Sequence, residues 1–129
     1  MHTGEAARRW VEGWRRAWPA RDVDGIAAMY TDEASYGSHP FREAETARSY
    51  AERAFGEEDL VDAWFGDPVV DGDRAAVEYW AVLRPPGGDE LTIAGAAFLH
   101  FDDDGRVVDQ RDYWDQEDGR REPPAGWGT

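Results

Sequence analysis

The chain has 129 residues, of which 41% are hydrophobic and 13% aromatic, a formal net charge of −14 and no cysteine. That length supports one domain with one core. The charge argues against nucleic acid or an anionic membrane as partner, and the missing cysteine excludes disulfides, a thiol nucleophile and thiolate metal sites. All 14 basic residues are arginine, so lysine Schiff-base and general-base chemistry is excluded too. No apolar run reaches the roughly 20 residues that span a bilayer, and Glu5 with Arg8 and Arg9 does not read as a leader. The expectation is a cytoplasmic, soluble protein.

Residues 4–18 read as a helix, because Ala7, Trp10, Val11, Trp14 and Trp18 recur at helical spacing, and Pro19 should stop it. Asp22 is a candidate N-cap for a second, short helix with Val23, Ile26, Ala27 and Tyr30 on its buried stripe. Ala34–Gly37 reads as a short strand and Ser38-His39-Pro40 as a turn. Glu43–Phe55 reads as a third helix, with Ala44, Ala47, Tyr50, Ala51, Ala54 and Phe55 inward and Gly56 as its stop.

From Leu60 the period changes to that of strands, at 60–70, 74–84, 90–101 and 106–115. Short linkers rich in Asp, Gly and Pro join them, which makes an antiparallel meander. Residues 1–115 therefore form one α+β domain, a curved antiparallel or mixed sheet wrapped around three N-terminal helices, and 116–129 reads as a loose tail. The concave face of such a sheet, with the first helix, can enclose a cavity.

The segment Arg106–Asp115 concentrates the chemistry. On a strand, Val108, Gln110, Asp112 and Trp114 share one face, and Val107, Asp109, Arg111, Tyr113 and Asp115 the other. A carboxylate beside a large aromatic in a poorly hydrated cavity is able to exchange protons near neutral pH. A solvated Asp112 beside a core Trp114 is the plainer alternative. Tyr36, Ser38, His39 and Glu78 could converge on Asp112. Glu78 alternates with Trp80 and Val82, but Val77, Tyr79 and Ala81 form an equally apolar set, so its direction stays open. Tyr79, Phe98, His100, Arg111 and Tyr113 would leave an apolar patch on the convex face, which predicts a homodimer. No HExxH, paired histidine or carboxylate cluster occurs at ligand spacing, and no phosphate cradle, so neither metal nor organic cofactor is expected.

The run RDVDGIAAMYTDEASYGSHPF, followed by a helix and then by GRVVDQRDYWD at the end of a meander, resembles the SnoaL-like branch of the nuclear transport factor 2-like superfamily over residues 5–115. The resemblance implies a cone-shaped fold with a deep pocket, often dimerising through the sheet. Ketosteroid isomerases of this fold use a Tyr, an Asp base and a second acid where this chain has Trp14, Ser38 and Ala97. Limonene epoxide hydrolases have an Asp base at the position of Asp112 and a water-holding Tyr and Asn near Tyr36 and Ser38. Their Arg and second Asp fall near Glu78 and Trp80. SnoaL-like polyketide cyclases use a carboxylate late in the same strand, at Asp112 or Asp115, with alternation favouring Asp112.

These matches imply a cofactor-independent cyclase or isomerase acting on a hydrophobic carbonyl compound. Asp112 would move the proton, and Tyr36 and His39 would donate hydrogen bonds to the enolate oxygen. Trp14, Tyr30, Ser38, Glu78, Trp80, Leu99, Gln110 and Trp114 would contact the substrate. The alternatives are a non-catalytic module that binds a hydrophobic ligand or dimerises and, after that, an epoxide hydrolase.

Overall fold

The computed structural model describes all residues, Met1–Thr129. In chain order the elements are α1 (Thr3–Ala20), α2 (Val23–Ala27), β1 (Tyr30–Gly37), α3 (Ala47–Glu57), β2 (Asp59–Phe65), β3 (Val69–Asp71), β4 (Arg74–Arg84), β5 (Leu91–Phe101) and β6 (Val107–Asp118). The fold is α+β, three helices against one open mixed sheet of six strands ordered β1-β6-β5-β4-β2, with β3 also paired to β4. β1 runs parallel to β6, and every other pairing is antiparallel.

The helix ends differ from the expected ones for local reasons. α1 continues through Pro19, which has no amide to return to the Arg15 carbonyl and so costs the helix one ladder hydrogen bond just before its end. Its true end is Arg21, in the left-handed region at φ 53°, where the Arg21 and Asp22 amides donate to the Trp18 and Ala17 carbonyls. Asp22 caps α2 as expected, accepting from the Gly25 amide at 2.9 Å. α3 starts at Ala47 because Glu45 pairs back onto Tyr36 through two backbone hydrogen bonds, which holds the preceding residues extended. Thr46 then caps the helix on the Ser49 amide, Ala44 is exposed, and Gly56 is passed without ending it.

The predicted strand 60–70 divides into β2 and β3 around Gly66-Asp67-Pro68, where proline has no amide for the ladder. On the concave side, Trp10, Trp14 and Ala17 of α1 and Ala51 and Phe55 of α3 pack against Tyr36, Val77, Tyr79 and Leu99 of the sheet. Gly95 lies opposite Trp114, and a Cβ there would collide with the Tyr113 carbonyl oxygen. Bare backbone at this point lets β5 and β6 approach closely where the sheet turns over the helices.

Two strands differ from their expected faces. In β6 the pairing shifts between His100↔Asp109 and Phe101↔Val107, which makes Val108 the extra residue of a bulge. Val107 therefore points inward, fully buried, on the same side as Gln110 and Asp112, and Val108 does not belong to that face. In β4 the inward set is Ala75, Val77, Tyr79, Ala81 and Leu83. This corrects the placement of Glu78 and Trp80 on the cavity face and of Tyr79 on the convex patch.

The outer face explains why Trp80 reads as an interior residue. Its indole donates to the Arg121 carbonyl at 2.7 Å and meets Trp127 edge-to-face at 6.0 Å. The Thr92 hydroxyl beside it donates to the Gly119 carbonyl and accepts from the Arg121 amide. The Asp67 amide donates to the Gly128 carbonyl at 2.7 Å. Far from being loose, residues 116–129 extend β6 and then strap the outer surface of the sheet.

Trp127→Ala should lower stability by about 1–2 kcal/mol, the worth of a half-buried aromatic contact. Urea melts equal to the parent's would show that the strap only rests on the sheet.

Candidate active site

A cavity of about 140 Å³ opens where the sheet curls away from α1 and α3. Trp10, Trp14 and Trp18 of α1 form one wall, and Phe55, Phe65, Tyr79 and Ile93 another. Tyr36, Gln110 and Asp112 make the polar end, and Tyr50 and Trp114 flank it. The mouth carries Arg42, Arg53, Glu57 and Glu58. Space of this size holds about one ring of a substrate.

Asp112 reaches this end because β6 alternates after its bulge. It is 6% exposed, with Ala97 beside it on β5. The Gln110 side-chain amide donates to Oδ1 at 3.0 Å, and the Tyr36 hydroxyl donates to Oδ2 at 3.4 Å. No arginine pairs with it. Burial pushes its pKa up to about 7, and the hydrogen bonds from Gln110 and Tyr36 pull only partly the other way. Asp115, the other carboxylate considered, is exposed on the opposite face.

The surrounding phenols are neutral donors. Burial raises the pKa values of Tyr36, Tyr50 and Tyr79, and the Asp112 charge adds to each. Tyr50 stacks on Tyr36 with centroids 4.2 Å apart and planes at 15°. At the mouth, Glu58 is raised by burial and then by Glu57. Arg53 pairs with Glu45 and Glu57. Arg42 lies over the Trp114 ring at 5.4 Å.

The structure brings Trp14, Tyr36, Ser38, Gln110, Asp112 and Trp114 together at the cavity. It does not bring His39 there. That ring meets the edge of Trp114 at 5.0 Å while Nδ1 accepts from the Phe41 amide, so His39 buttresses Trp114 and offers no donor to the cavity. Tyr30 stands behind the wall, bonded to Trp10, Trp14 and Gln110. Leu99 is core, 2% exposed. Glu78 is exposed and Trp80 lies under the strap.

Tyr50, Tyr79, Phe55, Phe65, Arg42 and Arg53 line the cavity without having been singled out as site residues. Tyr50 was legible as an inward position of a helix. The charge-free alternation Ala75–Leu83 was the available signal for Tyr79. No group of three or more His, Asp or Glu is placed to hold a metal ion. No helix is long and apolar enough to cross a membrane.

A family model described as a SnoaL-like domain matches residues 7–110. The chain belongs to the SnoaL-like domain family. Solved structures of the same fold include an epoxide hydrolase of the limonene epoxide hydrolase-like type from Mycobacterium tuberculosis, 24% identical with a TM-score of 0.71, covering 88% of this chain and 86% of that one. A candidate polyketide cyclase from Xanthomonas campestris is 18% identical with a TM-score of 0.68, over 88% and 93% of the two chains. SalBIII, an epoxide hydrolase/cyclase-like enzyme of pyran ring formation in the polyether salinomycin, is 20% identical with a TM-score of 0.71, over 86% and 91%. No curated protein sequence matches. At these identities the likeness shows that the SnoaL-like fold is shared.

The Asp112 carboxyl gives a pH signature that needs no substrate. Unfolded, it ionises near pH 4, whereas folded it holds its proton to about 7. Its burial therefore costs nothing below pH 4, costs more as pH rises, and costs most above 7. Asp112→Asn should match the parent in denaturant melts at pH 4 and exceed it by roughly 2–4 kcal/mol at pH 8. A marked loss of stability at neutral pH would instead assign Asp112 a structural role.

Proposed function

We propose that this protein is a cofactor-independent enzyme that moves a proton on a hydrophobic carbonyl compound, leading to isomerisation or ring closure. The observation that supports this most is a single buried carboxyl, without a cationic partner, facing an aromatic cavity, where burial pushes its pKa up to about 7. At neutral pH such a group exists in both forms and can take a proton and give it back.

Ionised Asp112 takes a proton from the carbon next to the substrate carbonyl, leaving an enolate. The Tyr36 and Tyr50 hydroxyls are the donors in place for the enolate oxygen, in the role first assigned to Tyr36 and His39. The proton on Asp112 then returns to another carbon, which is isomerisation. Alternatively the enolate carbon bonds to a second carbonyl of the same molecule and Asp112 protonates the new alkoxide, which is an aldol closure. The aromatic walls exclude water from the enolate. Epoxide opening is less well supported, since Glu78 and Trp80, where the Arg and second Asp of limonene epoxide hydrolases fall, lie on the outer side of the sheet away from Asp112.

Exchange of α-hydrogens into a panel of cyclic and aryl ketones in D2O, followed by NMR, tests the proton step directly. The parent should show exchange that rises through a midpoint near pH 7. Asp112→Asn should lower it by about 100-fold or more, and Tyr50→Phe by about 10-fold. Equal exchange by the parent and Asp112→Asn would defeat the reading.

We further propose that two copies pair through the convex sheet face. Phe98 and Tyr113 lie edge-to-face there at 5.7 Å, each 44% exposed. Light scattering at micromolar concentration should give twice the chain mass, and Phe98→Asp with Tyr113→Asp should return it to one.

A further inference from the structure

The hydrogen bonds behind the cavity form a chain with only one consistent direction. The indole N–H groups of Trp10 and Trp14 both donate to the Tyr30 hydroxyl oxygen, at 3.0 and 3.2 Å, and an indole can do nothing but donate. With its oxygen doubly occupied, Tyr30 must direct its own hydrogen away, and it donates to Gln110 Oε1. That orients the amide, so Nε2 donates to Asp112 Oδ1 at 3.0 Å. All of these residues are buried, and no buried side-chain nitrogen or oxygen atom in the protein lacks a partner.

The reverse arrangement fails on chemistry alone. A flipped Gln110 would aim a third N–H at the Tyr30 oxygen, strand the Tyr30 hydrogen, and set a carbonyl oxygen against the carboxylate. We infer that the Trp10–Trp14–Tyr30–Gln110 chain is a positioning device that reserves Oδ1 of Asp112 as a permanent acceptor and assigns the exchangeable proton to Oδ2. This deepens the proton-transfer reading given above and rests on it for its catalytic meaning. Tyr30 and Gln110 act through Asp112, and none of the four is asked to touch the reacting atoms.

The consequence is an ordered carboxyl. Oδ2 has only the 3.4 Å hydrogen bond from Tyr36, so it is the oxygen left to work on substrate. The ionisable groups facing Asp112 are Tyr36 and Tyr30 of β1, Tyr50 of α3 and Tyr79 of β4, all neutral, since burial raises each. β5 presents Ala97, and α1 presents the two indoles. The charges of Arg42, Arg53, Glu57 and Glu58 lie at the mouth. Donors therefore tune the carboxyl here, with no ion pair to do so.

Titration of Asp112 by 13C-carboxyl NMR, identified by its loss in Asp112→Asn, tests the chain without any substrate. Tyr30→Phe leaves Asp112 untouched but frees Gln110 to turn. The midpoint should rise by about one pH unit, because a donor to the ionised form is lost. Gln110→Met should raise it by a similar amount, and the double variant no further than Gln110→Met alone, as expected of residues acting as one unit. A merely structural Tyr30 would lower the melting temperature and leave the midpoint in place, which would overturn the inference.

If Tyr30→Phe does not fold, the parent protein still decides. The Gln110 side-chain amide protons should titrate with the Asp112 midpoint and exchange slowly, and amide signals insensitive to that titration would count against the chain. Loss of α-hydrogen exchange in Asp112→Asn is a separate result. A shifted midpoint with no catalysis would refute the enzyme reading and leave the chain standing.

Discussion

Burial of the Asp112 carboxyl without a compensating cation is the constraint on which the rest of the site depends. A charged carboxylate removed from water is costly unless it is paired or hydrogen-bonded, and here two hydrogen bonds offset only part of that cost, so the charged form stays disfavoured. The arrangement works only if β6 is held in one register. The parallel pairing of β1 with β6 sets Tyr36 beside Gln110, and the antiparallel pairing of β5 sets Ala97 beside Asp112. A slip of one residue would turn Asp112 out to solvent and Arg111 into the cavity. The bulge at Val108 and the bare backbone of Gly95 fit that register to a sheet that curves.

The aromatic residues serve two purposes that elsewhere are separate. Trp10 and Trp14 bury large apolar surfaces in the core, yet their N–H groups begin the hydrogen-bonded chain that ends on the carboxyl. Tyr36 and Tyr50 stack on one another and both line the cavity. A low-dielectric shell strengthens each hydrogen bond inside it and makes any unpaired group expensive. Full satisfaction of the buried polar atoms is thus a condition of having such a site at all.

The opposite face of the sheet is managed differently at its two ends. Near β2 and the start of β5, the C-terminal strap covers Trp80 and Thr92 with its own backbone and Trp127. Near the end of β5, Phe98 and Tyr113 remain uncovered. The strap reaches one half of the outer surface, and the half it leaves open is the one offered above for self-association.

The α+β order, the three helices, every strand except the division of 60–70 into two, the Asp22 cap and the inward direction of Gln110, Asp112 and Trp114 were legible in the amino-acid sequence. Each follows from local periodicity or a local capping rule, which neighbouring residues settle among themselves. The resemblance of RDVDGIAAMYTDEASYGSHPF and GRVVDQRDYWD to SnoaL-like proteins added the cone and its pocket. Other features were decided only by tertiary contacts. Glu78 and Trp80 alternate as regularly as Val77 and Tyr79, and only the lack of charge in the second set points it inward; α1 and the strap decide it by covering opposite sides. His39 lies one residue past Ser38, and only the path of the chain into Thr46 turns it behind Trp114. By itself the sequence determined which residues could serve as acid and as wall. The folded sheet decided which of them meet, because a hydrogen bond between residues 80 positions apart, such as that between Tyr30 and Gln110, has no local signature.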